Sequence, residues 1–310
     1  MRPECFPRES LGYGRLVKIE DRAHKVHREQ LAQPHELPAS VLDSLPQLQA
    51  GQDLRDLLGH IRRAWRDHRP VVLGIGGHVI KCGLAPLIAE LVRRGRVQAV
   101  AMNGGAAIHD AELAGWGMTS EFVDETLPTG EFGAVYETGR LFATALAQTP
   151  GHTVGWALGN AMHEGAAPWA DDSVLVAGAR TQTPVIVHLS LGGDTIHFHP
   201  LVDLRRLAAA SVDDLEVFAA VIADVVEGGV YLNCGSAVVL PELFGKLVTR
   251  AISTGRTARN LVTANFDMQD GYRPRTNVVR RPTFDGHGYT FLGQHEVVLA
   301  LFLQVLLGVD

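Results

Sequence analysis

Two polar clusters in this 310-residue chain carry side chains able to move a proton or hold a cation. The denser is Gly192-Gly193-Asp194-Thr195-Ile196-His197-Phe198-His199-Pro200, with His188 near the end of the apolar run just before it. Two histidines one residue apart point both rings to one side if the chain there is extended. With His188 or Asp194 as a third ligand, His197 and His199 could bind a catalytic zinc ion. Alternatively His197 is a general base and Asp194 holds a cationic or hydroxyl-bearing substrate, since imidazole titrates near neutrality. The second cluster is His109-Asp110. A histidine beside a carboxylate can be a tuned acid or base, whereas Asp110 could instead N-cap a helix over 111–117. Further on, Asn265-Phe266-Asp267-Met268-Gln269-Asp270 supplies carboxylates, or else forms a solvated turn. There is no G-x-S-x-G elbow and no cysteine in a recognisable nucleophile setting, which disfavours acyl transfer.

These residues stand beside glycines that follow short apolar runs. Val71 to Leu73 leads into Gly74-Ile75-Gly76-Gly77, Val97 to Met102 into Asn103-Gly104-Gly105, and Val230 to Leu232 into Cys234-Gly235-Ser236. Turns of this kind at one sheet edge bring free N–H groups to one crevice, a cradle for phosphate. The first does not satisfy G-x-G-x-x-G, because Val79 holds the third position, and Lys81 lacks the neighbours of a P-loop lysine. A tight strand-to-helix turn would also require small residues there.

Leu54, Leu57, Leu58, Ile61 and Trp65 form a helical stripe, as do Leu84, Leu87, Ile88 and Leu91. Helices are further expected over 133–147, 213–226, 240–252 and 296–307, and strands over 185–189, 230–232 and 261–264. The segment 151–169 has no clear period. Strands alternating with helices imply parallel βαβ units. The expected fold is α/β: a Rossmann-like, doubly wound, mostly parallel sheet with helices on both faces, forming one domain over 51–310. Residues 1–50, rich in Pro, His and charge, read as an N-terminal arm that wraps the domain or meets a partner subunit.

A net charge of −6 argues against a general nucleic-acid or anionic-membrane surface. No apolar run reaches the ~18 residues of a spanning helix, and the first thirty residues lack the apolar core of a signal peptide. Cys5, Cys82 and Cys234 are odd in number and widely spaced, which suits a reducing, cytoplasmic setting.

Taken in order, these segments resemble the deoxyhypusine synthase family from about Arg69 to Leu307. Gly77-His-Val-Ile-Lys-Cys-Gly83-Leu84 stands where that family has a turn ending in Gly-Leu, and Asn103-Gly104-Gly105 where it has Ala-Gly-Gly. Asp110 falls on the acidic end of the next motif, with His109 in place of a Glu. Gly193-Asp194 falls on an Asp-bearing loop, Gly235 on a glycine-rich turn, and Thr263-Ala264 on a late NAD-binding segment. The resemblance implies a homotetramer of NAD-binding, Rossmann-like subunits. Gly76, Gly77, Asn103, Gly104, Gly105, Gly235, Ser236, Thr263, Ala264 and Asp267 would then meet NAD, and His109, Asp110, Asp194 and His197 would face the substrate.

The departures are chemical. The family's catalytic lysine is matched by Val279-Arg280-Arg281-Pro282, and a guanidinium cannot form an imine because it does not deprotonate. Its histidine pair is matched by Val239-Leu240-Pro241, and its adenine-contacting Asp-Ala by Gly293-Gln294. The expectation is therefore an NAD-dependent transferase or lyase that oxidises a small polar amine or alcohol and then transfers or eliminates a group, without forming hypusine. A metal-dependent hydrolase using His188, His197 and His199, and a nucleotide-binding sensor without catalysis, are the alternatives.

Overall fold

The computed structural model describes residues 9–309. In chain order the elements are β1 (His24–His27), α1 (Gln49–Arg66), β2 (Val71–Ile75), α2 (Gly77–Lys81), α3 (Ala85–Arg93), β3 (Ala99–Asn103), α4 (Gly104–Trp116), β4 (Met118–Glu121), α5 (Val123–Thr126), α6 (Tyr136–Gln148), α7 (Val154–Glu164), α8 (Val174–Thr181), β5 (Val185–His188), α9 (Leu204–Val225), β6 (Val230–Cys234), α10 (Val239–Ser253), β7 (Val262–Asp267), β8 (His287–Leu292) and α11 (Ala300–Leu307). Six strands form one sheet in the order β5-β3-β2-β6-β7-β8, every neighbouring pair parallel. The strand order therefore reverses between β2 and β6. In open α/β sheets ligands bind outside the carboxyl ends of the strands at such a reversal.

Alternation along β2 feeds two cores. Val71, Leu73 and Ile75 face the larger one, under α1, α3, α4, α7 and α8, whereas Val72 faces a smaller one built from Phe218 and Ile222 of α9 and Leu240, Phe244 and Leu247 of α10. Each of these large side chains, fully buried, contributes roughly 1.5–3 kcal/mol. Helices thus cover both faces, and the fold is the expected Rossmann-like α/β.

Several elements differ from expectation for identifiable reasons. The helix expected from Ala111 begins at Gly104, because Asn103 Oδ1 accepts the amide of Ala106 and caps it there. The unassigned segment contains α7. Its contact face uses glycine rather than large apolar residues: a Cβ at Gly155 would stand 1.7 Å from the Val185 carbonyl oxygen, and one at Gly159 2.3 Å from that of Leu175. β8 is an edge strand in which only Phe291 is buried, so its hydrophobic signal is slight. Ahead of the sheet, β1 pairs antiparallel with β4, Val17 bridges Val135, and the Tyr13 amide donates to the Phe198 carbonyl, so residues 13–27 strap across the carboxyl edge. Cys5 lies outside the described residues.

Candidate functional site

The turns after β2, β3 and β6 and the loop after β5 meet at the carboxyl edge of the sheet. A Cβ at Gly76 would lie 2.0 Å from the Gly235 carbonyl oxygen, and one at Gly77 would lie 3.2 Å from Gly105 and 3.4 Å from His109 Cδ2. At Gly76 any side chain would prevent this approach, whereas at Gly77 the neighbouring turn would have to give by a few tenths of an ångström. Gly104 has the same reason, since its Cβ would stand 2.5 Å from the Asp194 carboxyl carbon.

Beside these turns lies a cavity of about 280 Å³, bordered by His109, Glu112, Lys81, Asp194, Glu121 and Arg22. Arg22 comes from the arm. Its guanidinium, 5% exposed, pairs with Glu112 at 2.9 Å and Glu121 at 3.2 Å. The second Glu121 oxygen, Oε2, is buried without a partner. With Asp194, three carboxylates face two cations, Arg22 and Lys81, so the lining is suited to a positively charged guest. Asp194 takes the Ser190 amide at 2.7 Å, and burial raises its pKa above the usual carboxylate value.

His109 sits one helical turn into α4. Its Nδ1 lies 2.8 Å from Thr119 Oγ1, and the Thr119 hydroxyl donates to Glu112 at 2.6 Å. Since that hydroxyl proton is committed to the carboxylate, Thr119 accepts from His109 Nδ1–H, which leaves Nε2 with the lone pair. Burial pushes His109 down to about 4, so the ring is neutral at physiological pH.

Other expected site residues are placed differently. Asp110 lies inside α4, 1% exposed, and accepts from Ser173 Oγ at 2.6 Å and from the Val174 and Leu175 amides at 3.0 Å each. It caps α8 rather than its own helix, and its oxygens are taken up away from the cavity. His197 is also buried, its Nδ1 2.9 Å from the Asp194 carbonyl. Residues 195–198 form a 3-10 turn instead of extended chain, so the side-chain alternation of a strand does not apply to His197 and His199. His199 stacks over Gly139 and His188 packs 5.0 Å from Phe218. Among the described residues His188, His197 and His199 do not converge on a metal position.

Of the expected dinucleotide contacts, Gly76, Gly77, Asn103, Gly104, Gly105 and Gly235 stand at the carboxyl edge, as does Asp267, the half-buried last residue of β7. Asn103 already spends its side-chain oxygen on the helix cap. Ser236 Oγ accepts the Leu240 amide, and Thr263 gives its hydroxyl to the Val278 carbonyl in mid-strand. Ala264 is fully buried in mid-strand too. Thr263 and Ala264 are therefore core residues: β7 runs three residues beyond the expected end, so Asp267 reaches the edge in their place.

Sequence reasoning missed Arg22, Glu112, Glu121 and Thr119, and also His78, Cys82 and His295, which gather at the reversal point. The i, i+4 spacing of His78 and Cys82 was a readable signal. A larger cavity, about 800 Å³, opens at the opposite, amino edge around Trp65, Pro70 and Arg96, away from the strand ends that bind ligands in such folds.

No family model and no curated protein matches this chain. Solved structures do. AgrE, crystallised with ornithine and NAD+, is similar at a TM-score of 0.54 and 16% identity, over 83% of this chain and 32% of that one. This chain thus spans about a third of the AgrE chain. A conserved protein from Methanococcus maripaludis S2, assigned as LOR/SDH, gives 0.53 and 16% identity over 89% of this chain and 73% of that one. A protein assigned as a deoxyhypusine synthase from Entamoeba histolytica gives 0.47 and 12% identity over 76% of this chain and 74% of that one. The likeness to AgrE and the Methanococcus protein shows the fold, the Rossmann-like α/β that the sequence resemblance implied.

Proposed function

We propose that this protein is an NAD-dependent enzyme that oxidises a small amine-bearing metabolite in the cavity between α4, the loop after β5 and the N-terminal arm. The observation that carries the reading is the His109–Thr119–Glu112 chain on a cavity that also holds Asp194 and Glu121. The strand order supports NAD, as does the Asp267 carboxylate at the edge. AgrE, which shares this fold over about a third of its chain, was crystallised with ornithine and NAD+. Gly76, Gly77 and Gly105 would hold the dinucleotide, with Asp267 available to its hydroxyl groups. Bound NAD would supply a hydride acceptor.

The chain's own residues do the rest. Asp194 and Glu121 hold the substrate ammonium, and the arm, through Arg22, closes the site against water. His109 Nε2 takes the proton that the nitrogen must lose before its carbon can give up hydride, while Thr119 and Glu112 stabilise the imidazolium that forms. The same cavity would carry a subsequent transfer or elimination. With no lysine after Lys246, no covalent imine to lysine can form in the segment where the resembling family has one.

Calorimetry with NAD and a panel of small diamines and diamino acids tests the binding half. The expected result is one dinucleotide per chain, with an amine site weakened in Asp194→Asn and in Glu121→Gln. An amine affinity indifferent to both substitutions would move the substrate out of this cavity.

A further inference from the structure

We propose that His78, Cys82 and His295 form a metal site at the strand-order reversal, holding a zinc-type ion by one thiolate and two imidazoles with a fourth position open. The proposal goes beyond the function above, whose chemistry uses none of these side chains.

α2 sets the first two ligands. His78 and Cys82 are four residues apart and so share a helix face, with Nε2 and Sγ 3.3 Å apart. His295 follows β8 at the start of a π-helical turn, 1% exposed, with its ring 5.5 Å from that of His78. The ligand atoms of all three lie within 4.8 Å of one another, the one such group of His, Cys, Asp or Glu among the described residues. Gly235 makes the room, because a Cβ there would stand 2.9 Å from His295 Cε1.

The state of His295 is what turns a cluster into a site. Its Nε2 lies 3.2 Å from the Phe266 carbonyl oxygen, which can only accept, so Nε2 carries the hydrogen and Nδ1 the lone pair. That Nδ1 is buried and has no partner. An imidazole backed by a carbonyl on one nitrogen and presenting a lone pair on the other is how metal-binding histidines are held. Tetrahedral zinc, with bonds of about 2.0–2.3 Å, keeps its ligand atoms about 3.3–3.7 Å apart. The His78–Cys82 pair is already at that spacing, and closing on His295 needs a shift of at most about 1.5 Å.

One thiolate with two imidazoles favours zinc over magnesium or calcium, which take oxygen ligands. Three protein ligands leave a position for water or a ligand, as in catalytic rather than structural zinc sites. On binding, the Cys82 thiol gives up its proton. That proton passes to solvent, as it does whenever a thiol becomes a metal ligand.

Cobalt(II), a spectroscopic substitute for zinc, added to the purified full-length chain tests the site. The expected result is a near-ultraviolet thiolate-to-cobalt charge-transfer band with tetrahedral visible bands, all displaced by zinc. Cys82→Ser should abolish the charge-transfer band, His295→Gln should weaken cobalt binding at least about tenfold, and Cys5→Ser should change neither. Absence of the band from the unsubstituted protein, or its persistence in Cys82→Ser, overturns the proposal. NAD binding is titrated separately on metal-free protein, so the failure of either reading leaves the other standing.

Discussion

Lowering the pH should destabilise this protein through histidines that the fold keeps neutral, and His188 allows the size of the effect to be worked out. It is 7% exposed against Phe218, with Nε2 buried and unpartnered, and burial pushes it down to about 4. The unfolded chain binds a proton at His188 from about pH 6.5 downward, while the folded chain refuses it until about pH 4. Stability is therefore lost as pH falls through that window, and no further share is lost below it. Between about pH 7.5 and about pH 5 the linkage relation gives a loss of about 2 kcal/mol from this residue. Urea unfolding followed by circular dichroism at the two pH values measures it. His188→Phe, which packs but cannot titrate, should flatten the pH dependence by about that amount whatever its absolute stability. An identical pH dependence in the two proteins would refute the reasoning and show that His188 is protonated, or reached by water, in the folded state.

Asp110→Ala should cost about 2–6 kcal/mol, since it strands the buried amides of Val174 and Leu175; thermal unfolding checks this, and a loss of activity at unchanged stability would return Asp110 to the catalytic residues. His109→Gln should lower turnover by about 10²- to 10⁴-fold with NAD affinity unchanged, and Thr119→Val, which cuts the link to Glu112, should lower it less; steady-state kinetics with bound-cofactor controls separates the two. Gly104→Val should drive the Asp194 carboxylate out of place, weakening amine binding in calorimetry while the chain stays folded. Incubation with spermidine, NAD and an acceptor lysine protein should give no aminobutyl transfer detectable by mass spectrometry.

The sheet was legible in the sequence because β2, β3, β5, β6 and β7 are buried, mostly apolar runs, and burial on both faces leaves such runs with little ambiguity. α7 was illegible because Gly155 and Gly159 make its contacts, and a hydrophobic pattern does not register a contact made by the absence of a side chain. β8, with one buried residue, gave too little apolar signal; Tyr289, Thr290 and Phe291 between Gly286 and Gly293 were its available trace. In the site, His109 and Asp194 could be found because each follows a strand and a glycine turn. Arg22 could not, because it reaches Glu112 across 90 residues from an arm with no periodicity. Adjacency in sequence also misled: His109 and Asp110 leave α4 in different directions, one to the cavity and one to α8.

The central claim, that a small amine loses hydride to NAD in the His109 cavity, is tested most directly by isotope transfer. Amines carrying deuterium on the carbon next to nitrogen, ornithine among them, would be incubated with the protein and NAD, and the nicotinamide ring analysed by mass spectrometry. The account predicts deuterium in the ring for at least one amine, with the transfer abolished or reduced by about 10²-fold or more in His109→Gln. No deuterium in the ring with any amine that binds, or equal transfer in His109→Gln, would contradict it.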